Sequence, residues 1–487
     1  PDHQWHLHNT GQGGGVPGED IADGNMESVW DRYLGSAQEI MAIIDDGLQV
    51  EHPDLLPNVH SDLNWDYVGA DNDPTPDSDD HHGTACAGLG AARGFNAQGV
   101  TGVAPMAGLA GLRLLGAATE ENIAEALTRS SQAIDIYSNS WGPLDGGYFL
   151  EGPGPLVRDA LTEGVRTGRN GKGSIYLWSA GNGGSQDNAN YDGFTNSRYT
   201  LAVAATDNQG ELASYSEPGA CIQVNAPSSG GSLAITSTDR TGSNGYASGD
   251  YTFSFGGTSA SCPQAAGVIA LMLQANPDLG WRDIQHILIK SASQNDPFHP
   301  DWRINAAGYR IHPYYGFGRI NALPAVTMAE GYTPVGPELS ASQTQTPMLP
   351  IPDNNPAGVT STIHIDQDMV VEYVQVVFSA PDHDYWGDVN ITLTSPSGTS
   401  CRLAESHTSA STNSRFDMWP FGSVRQFGES SQGDWTLRVS DTGPENTGTF
   451  ESWELIIYGH RTSPPHLPGI LHLLLGSYET STLLSSS

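Results

Sequence analysis

Glu39-Ile-Met-Ala-Ile-Ile44 runs straight into Asp45-Asp46-Gly47. Ile40 to Ile44 is apolar without alternation, the mark of a strand buried on both faces, as in a parallel sheet covered by helices. Open α/β sheets place their sites at strand carboxyl ends, so the two aspartates behind the run are candidates for chemistry. Similar runs recur in Ala133-Ile-Asp-Ile-Tyr137, Ser174-Ile-Tyr-Leu-Trp178 and Tyr199-Thr-Leu-Ala-Val-Ala204. Between them, Asn122 to Ser131 and Pro263 to Ala275 read as helices. Residues 1–325 are therefore expected to form an α/β domain.

Downstream the chemistry changes. Residues 326–357 are rich in Pro, Ser, Thr and Gln and read as a linker. After them the apolar period falls to two: Val389, Ile391 and Leu393 alternate with Asn390, Thr392 and Thr394, and Ser395-Pro-Ser-Gly398 makes a turn. Trp435-Thr-Leu-Arg-Val439 and Trp453-Glu-Leu-Ile-Ile457 repeat the half-buried pattern. Residues 358–460 are expected to be all-β, a sandwich or jelly roll. In 461–487, Ile470-Leu-His-Leu-Leu-Leu475 is too short to cross a bilayer. That tail is expected to be disordered or an artefact of cloning, with a docking segment as the alternative.

The chain has 487 residues, and 20 Lys+Arg against 55 Asp+Glu leave a net charge of −35. Such a charge repels a nucleic-acid backbone instead of releasing its counterions, so no nucleic-acid partner is expected. It tolerates cationic partners. No run approaches the length of a membrane span. Cys86, Cys221, Cys262 and Cys401 are too few and too dispersed for a disulfide scaffold, and none forms a C-x-x-C pair. The chain begins at Pro1, without Met or a hydrophobic signal region, as a processed, mature protein or an artificially trimmed one would.

Three local signals suit nucleophilic catalysis. Ser259, in Gly256-Gly-Thr-Ser-Ala-Ser-Cys-Pro263, is a poor nucleophile unless a base takes its proton. His82, in His82-Gly-Thr84, would be that base. Asp45 would hold the imidazole tautomer and stabilise the imidazolium. Asn182, in Ser179-Ala-Gly-Asn-Gly-Gly184, offers a side-chain donor after another strand, suited to an oxyanion hole. A strand-end Asp, a His before Gly-Thr and a Ser before a helix are each commonplace as caps or turn residues. Their joint occurrence in the order Asp, His, Ser is not.

These strings resemble those of subtilisin-like serine proteases, and within them the kexin/furin group of proprotein convertases. The resemblance is carried by Ile44-Asp-Asp-Gly-Leu48 with His52-Pro-Asp-Leu55, Asp79-Asp-His-His-Gly-Thr-Ala-Cys-Ala-Gly88, Ile136-Tyr-Ser-Asn-Ser-Trp-Gly-Pro143 and Ser179 to Gly184. Tyr191-Asp-Gly-Phe-Thr-Asn196, Tyr215-Ser-Glu217, Gly257-Thr-Ser-Ala260 and Trp281-Arg-Asp-Ile-Gln285 extend it. Gly387 to Gly398 and Gly433 to Gly459 resemble the P domain of that group, the short first string in a form closer to bacterial members.

The resemblance implies a subtilisin-like catalytic domain with a parallel sheet, followed by a jelly-roll P domain. It also implies roles for some of the acids. Asp145 and Asp192 match positions that make the S1 pocket anionic. Asp46, Asp79 and Asp80 match acids that favour a basic P2 side chain, and Glu125 and Glu151, across a gap, match acids near S4. Cleavage after Lys or Arg, with paired basic residues preferred, is the implied specificity, because a buried cation needs a paired carboxylate. Calcium is the implied cofactor. Asp145, Asp187 and Glu217 fall where one ion would sit behind S1. Asp54 and Asn96, with Asp2 as a further candidate, match a second site, although the loop Arg93 to Gly102 is about two residues longer than the family pattern. The family's disulfides do not carry over, so four free thiols are expected, with one bridge as the alternative. A propeptide or chaperone is an implied maturation partner, and a secreted, periplasmic or extracellular location is implied. Two other readings remain: a broad-specificity degradative subtilisin, and an adhesive protein presenting its β domain on a dead protease scaffold.

Overall fold

A computed structural model describes residues 3–77, 79–411 and 414–461. Asp2 and almost all of the tail lie outside the described residues. The first half is built on a seven-stranded parallel sheet. Its strands are β1 (Ile40–Asp45), β2 (Trp65–Asp66), β3 (Gly108–Arg113), β4 (Ile136–Asn139), β5 (Ile175–Ser179), β6 (Thr200–Thr206) and β7 (Ile222–Pro227). They lie in the order β2-β3-β1-β4-β5-β6-β7. Every residue of β1 and of β3 to β7 is buried, as the uninterrupted apolar runs require.

The two faces of β1 feed two cores. Met41 and Ile43 join a core that also takes Leu109, Ile136 and Leu177 and the helices His82–Ala91 and Thr258–Ala275. Ile40, Ala42 and Ile44 point the other way, towards Ala126, Leu127, Val157 and Leu161 of the helices Glu120–Thr128 and Pro155–Gly171. A strand sandwiched like this has no solvent face, which is why its sequence shows no alternation.

The helix expected from Pro263 starts earlier, at Thr258, and Pro263 lies inside it. Proline has no N–H, so the carbonyl four residues back, that of Ser259, loses its helical partner. Ser140 Oγ donates to that carbonyl at 3.2 Å and the Cys86 thiol lies 3.6 Å from it. The proline therefore ties the start of this helix to the end of β4.

The second half is an antiparallel sandwich. One sheet orders Leu339–Gln345, Ser452–His460, Val370–Ala380 and Phe416–Ser423; the other orders Asn355–Ile365, Gly433–Asp441, Val389–Thr394 and Ser400–Ala404. Counting these eight strands along the chain, the orders are 1-8-3-6 and 2-7-4-5, a jelly roll. Ile363, Val376, Phe378, Trp435 and Trp453 meet between the sheets.

The expected linker, 326–357, is not one. The helix Ala322–Glu330 crosses its start, Leu339–Gln345 pairs with Ser452–His460, and Leu349–Ile351 pairs with Gly448–Phe450. Leu339–Gln345 is an edge strand, and most of its residues are exposed, so Ser, Thr and Gln are tolerated there and imitate linker composition. All four cysteines are unpaired.

The two halves are joined by buried polar contacts. Arg282 of the helix Trp281–Ser291 makes a two-pronged pair with Glu372, with Nε to Oε2 at 2.7 Å and Nη2 to Oε1 at 2.5 Å. Asn305 Nδ2 donates to the carbonyls of Arg425 and Phe427. Gly422 N donates to Asn190 Oδ1 at 2.8 Å, and Tyr191 Oη donates to Glu405 O at 2.9 Å.

Candidate active site

The carboxyl ends of β1, β4 and β5 bring the candidate groups together. Asp45 is the last residue of β1 and is 1% exposed. His82 opens its helix, and its Nδ1 lies 2.9 Å from Asp45 Oδ1. Gly83 is required here, since a side chain would meet Gly47 O at 2.3 Å and Asp45 Cβ at 2.7 Å. Burial disfavours a charged His82 ring, yet the Asp45 carboxylate outweighs it and holds the pKa above that of an ordinary histidine. With Nδ1 donating to Asp45, Nε2 is left to act as a base.

Ser259 sits in the first turn of Thr258–Ala275, where its Oγ rests 3.4 Å from the Ser140 carbonyl. Asn182 is oriented by the same turn. Its Oδ1 accepts from Thr258 N at 2.8 Å and from Thr258 Oγ1 at 3.1 Å. A backbone N–H can only donate, so the amide oxygen is assigned and the Nδ2 hydrogens face away from Thr258. A donor held this way is prepared for a developing oxyanion. Nothing in the sequence pointed to Thr258 or Ser140 for these tasks.

Asp46, expected as a P2 acid, has a structural task as well. Its Oδ2 accepts from His81 N and His82 N, both at 2.9 Å, and its Oδ1 accepts from Gly83 N at 2.7 Å. Such a carboxylate caps a helix N-terminus and fixes the backbone that carries His82. Asp80 is engaged too. With Asp77 and Asp66 it surrounds the Arg113 guanidinium, at 2.8, 2.6 and 3.0 Å. Asp79 is exposed. Glu125 pairs with Arg129 at 2.9 Å and with Tyr67. Glu151 is exposed and touches the Asp192 loop through its main chain, accepting from Gly193 N at 2.8 Å.

A cavity of about 230 Å³ opens beside Asn182, lined by Trp141, Gly142, Asp145, Asp187, Asp192 and Glu217 among others. Gly142 leaves it open: a Cβ there would lie 3.1 Å from Asp192 Oδ2. Burial lifts the Asp192 pKa to about 8. It also raises Asp187, which Asp145 reinforces, and raises Glu217 well above the usual range, which Asp187 reinforces. Carboxylate oxygens of Asp145, Asp187 and Glu217 lie within 4.8 Å of one another. Their hydrogen bonds come from main-chain N–H groups of Asn182, Gly146, Asn188 and Gly183. Three ionised carboxylates this close repel one another, a cation among them would relieve the repulsion, and an all-oxygen donor set suits calcium. These residues fit the ion. The second candidate set is thinner: Asn96 Nδ2 donates to Asp54 Oδ1 at 2.8 Å and Val100 N to Asp54 Oδ2 at 2.9 Å, so one buried carboxylate is already served by two donors.

The β domain holds the walls of this cavity. His407 Nε2 lies 2.9 Å from Gly147 O, Ser409 Oγ donates to Gly146 O, and Asn188 Nδ2 donates to Glu405.

Comparison with known proteins agrees with this architecture. Residues 36–318 match the subtilase family, and residues 371–457 match the proprotein convertase P-domain. The human protein "Proprotein convertase subtilisin/kexin type 6" is 35% identical over 463 residues, 91% of this chain and 47% of that protein. The "Dibasic-processing endoprotease" of Schizosaccharomyces pombe is 37% identical over 478 residues, 95% of this chain and 65% of its own length. The chain thus spans about half of the first of these relatives and two thirds of the second. Among solved structures, a serine protease of Aeromonas sobria superposes with a TM-score of 0.86 at 27% identity, covering 94% of this chain and 95% of that one. The same protease in complex with its chaperone gives 0.85 at 26%. The match to both family models shows that this chain belongs to the subtilase family and carries a proprotein convertase P-domain.

Proposed function

We propose that the chain is a calcium-dependent serine endopeptidase, acting outside the cytoplasm, that hydrolyses peptide bonds after Lys or Arg. The observation that carries this reading is the Asp45–His82 pair, linked through the Cys86 thiol to the Ser259 main chain, with the oriented Asn182 amide at a cavity walled by Asp145 and Asp192. His82 Nε2 takes the Ser259 proton as Oγ attacks the carbonyl carbon of the substrate. The carbonyl oxygen becomes an oxyanion facing Asn182 Nδ2. His82 then returns the proton to the leaving amine, giving an acyl-Ser259 enzyme that water hydrolyses through the same base. A bound calcium ion would be held by Asp145, Asp187 and Glu217 and would neutralise the acids behind the pocket. Asp192 would then face the P1 guanidinium or ammonium.

The names of the two relatives support a preference for paired basic residues, with Asp79 as the free acid on the P2 side. The chaperone complex of the Aeromonas protease supports a maturation partner for this chain as well. Labelling by a serine-directed phosphonylating reagent should be lost in Ser259→Ala; labelling that persists would remove Ser259 as nucleophile and reopen the adhesive reading. Asp192→Asn and Asp145→Asn should each lower kcat/KM for Arg and Lys substrates at least about 100-fold more than for uncharged P1, the scale of a lost buried charge partner. Equal losses in both classes would favour the degradative reading. A strong chelator should lower both Tm and activity, and calcium should restore them.

A further inference from the structure

A second cavity, of about 320 Å³, lies between the two domains; it shares no lining residue with the candidate active-site cavity, although Asn188 and Pro218 in its wall adjoin Asp187 and Glu217. Arg303 enters it from the first domain, and Arg402, Arg425 and Cys401 enter it from the second, with Asp301 and Glu405 at its wall. Three guanidinium groups around one small cavity are conspicuous in a chain with only 20 Lys+Arg against 55 Asp+Glu. Arg402 is matched by Glu405 at 2.5 Å. Arg425 is not matched. It is 3% exposed, and its bonds go to the carbonyls of Ile222 at 3.0 Å and Gly219 at 2.6 Å. Arg303 likewise bonds the carbonyls of Pro300 and Trp302. Among the described residues neither has a carboxylate partner. Carbonyls satisfy N–H donors but leave the charge uncompensated, which is expensive for the buried Arg425, while Arg303 is exposed. Burial indeed lowers the Arg425 pKa to about 10, still a cation at neutral pH.

His312, also in this wall, argues against a metal. Its Nδ1 accepts from Tyr314 N and Tyr315 N, so its proton sits on Nε2, which donates to His299 Nδ1 at 2.8 Å. We propose that this cavity binds a small tetrahedral oxyanion, sulfate or phosphate, which completes the charge of Arg425 and Arg303 and clamps the two domains together.

The test uses the full chain with calcium present. Sulfate should raise Tm along a saturable curve in the low-millimolar range, at ionic strength matched with chloride, and phosphate titrated the same way should rank the two oxyanions. The general stabilisation that sulfate gives any protein does not saturate there. Arg303→Ala, at an exposed position, should weaken the apparent affinity at least about fivefold, one lost charge-assisted contact. Cys401 is the one cysteine of the four that is not fully buried. It should react about tenfold faster with an anionic methanethiosulfonate than with a cationic one of similar size, and sulfate should protect it. An identical, unsaturating response in both proteins, or equal labelling by the two reagents, overturns the proposal.

Discussion

Asp46 illustrates how a side chain's neighbours add a task that its sequence position does not show. Adjacent to Asp45, it was expected to meet the P2 side chain, yet its oxygens collect three main-chain N–H groups at the start of the His82 helix. Asp46→Ala should therefore cost about 1–2 kcal/mol of stability, as lost N-terminal caps do. It should lower kcat similarly for substrates with Arg or Ala at P2, because the His82 backbone loosens for both. A loss confined to basic P2 would restore the substrate-binding role. The groups legible from sequence were those whose type is rare in its setting: a strand-end Asp45, His82 before Gly-Thr, Ser259 at a helix start and Asn182 after a strand. The illegible ones were Thr258, Ser140 and Arg113. Their tasks depend on partners 76, 119 and up to 67 residues away, which no local pattern encodes.

At the scale of elements, the continuous apolar runs predicted the parallel sheet because burial on both faces leaves a signature in every residue. The edge strand Leu339–Gln345 left none, since solvent on its outer side allows the composition of a linker. The helix Thr258–Ala275 shows the same limit at its start: Pro263 suggested a first turn, whereas the first turn lies five residues earlier. The proline has a task there, freeing the Ser259 carbonyl for Ser140 Oγ and Cys86. Pro263→Ala returns a helical donor to that carbonyl, which then competes with both. The variant should fold, since alanine favours the helix. Its kcat should drop about tenfold, with KM little changed, as expected for a group displaced by a fraction of an ångström. Steady-state kinetics beside a melting curve would check this.

For the whole molecule, the junction around Glu372 is the natural place to look for pH dependence. Burial alone would raise its pKa, but His286, His460 and Arg282 outweigh burial and hold it below the ordinary carboxylate range. A depressed carboxylate contributes stability that is complete above its unfolded pKa of about 4.3 and fades as pH falls towards the folded value. Glu372→Gln should thus cost about 3 kcal/mol near neutral pH, the scale of a broken buried pair. The Tm gap to the parent should stay constant down to about pH 4.5 and close below it. A gap that does not change with pH would mean that Glu372 acts by packing. The grip of the β domain on the loops around Gly146, Gly147 and Tyr191 also bears on how the protein is made. Ser452–His460 pairs with both Leu339–Gln345 and Val370–Ala380, so the sandwich closes only after that strand leaves the ribosome. A nascent chain carries Asp45, His82 and Ser259 long before that moment, and Glu405, His407 and Ser409, which hold the loops beside the cleft, are made only after those three. The order of synthesis thus places the β-domain contacts to the cleft loops after the candidate catalytic residues.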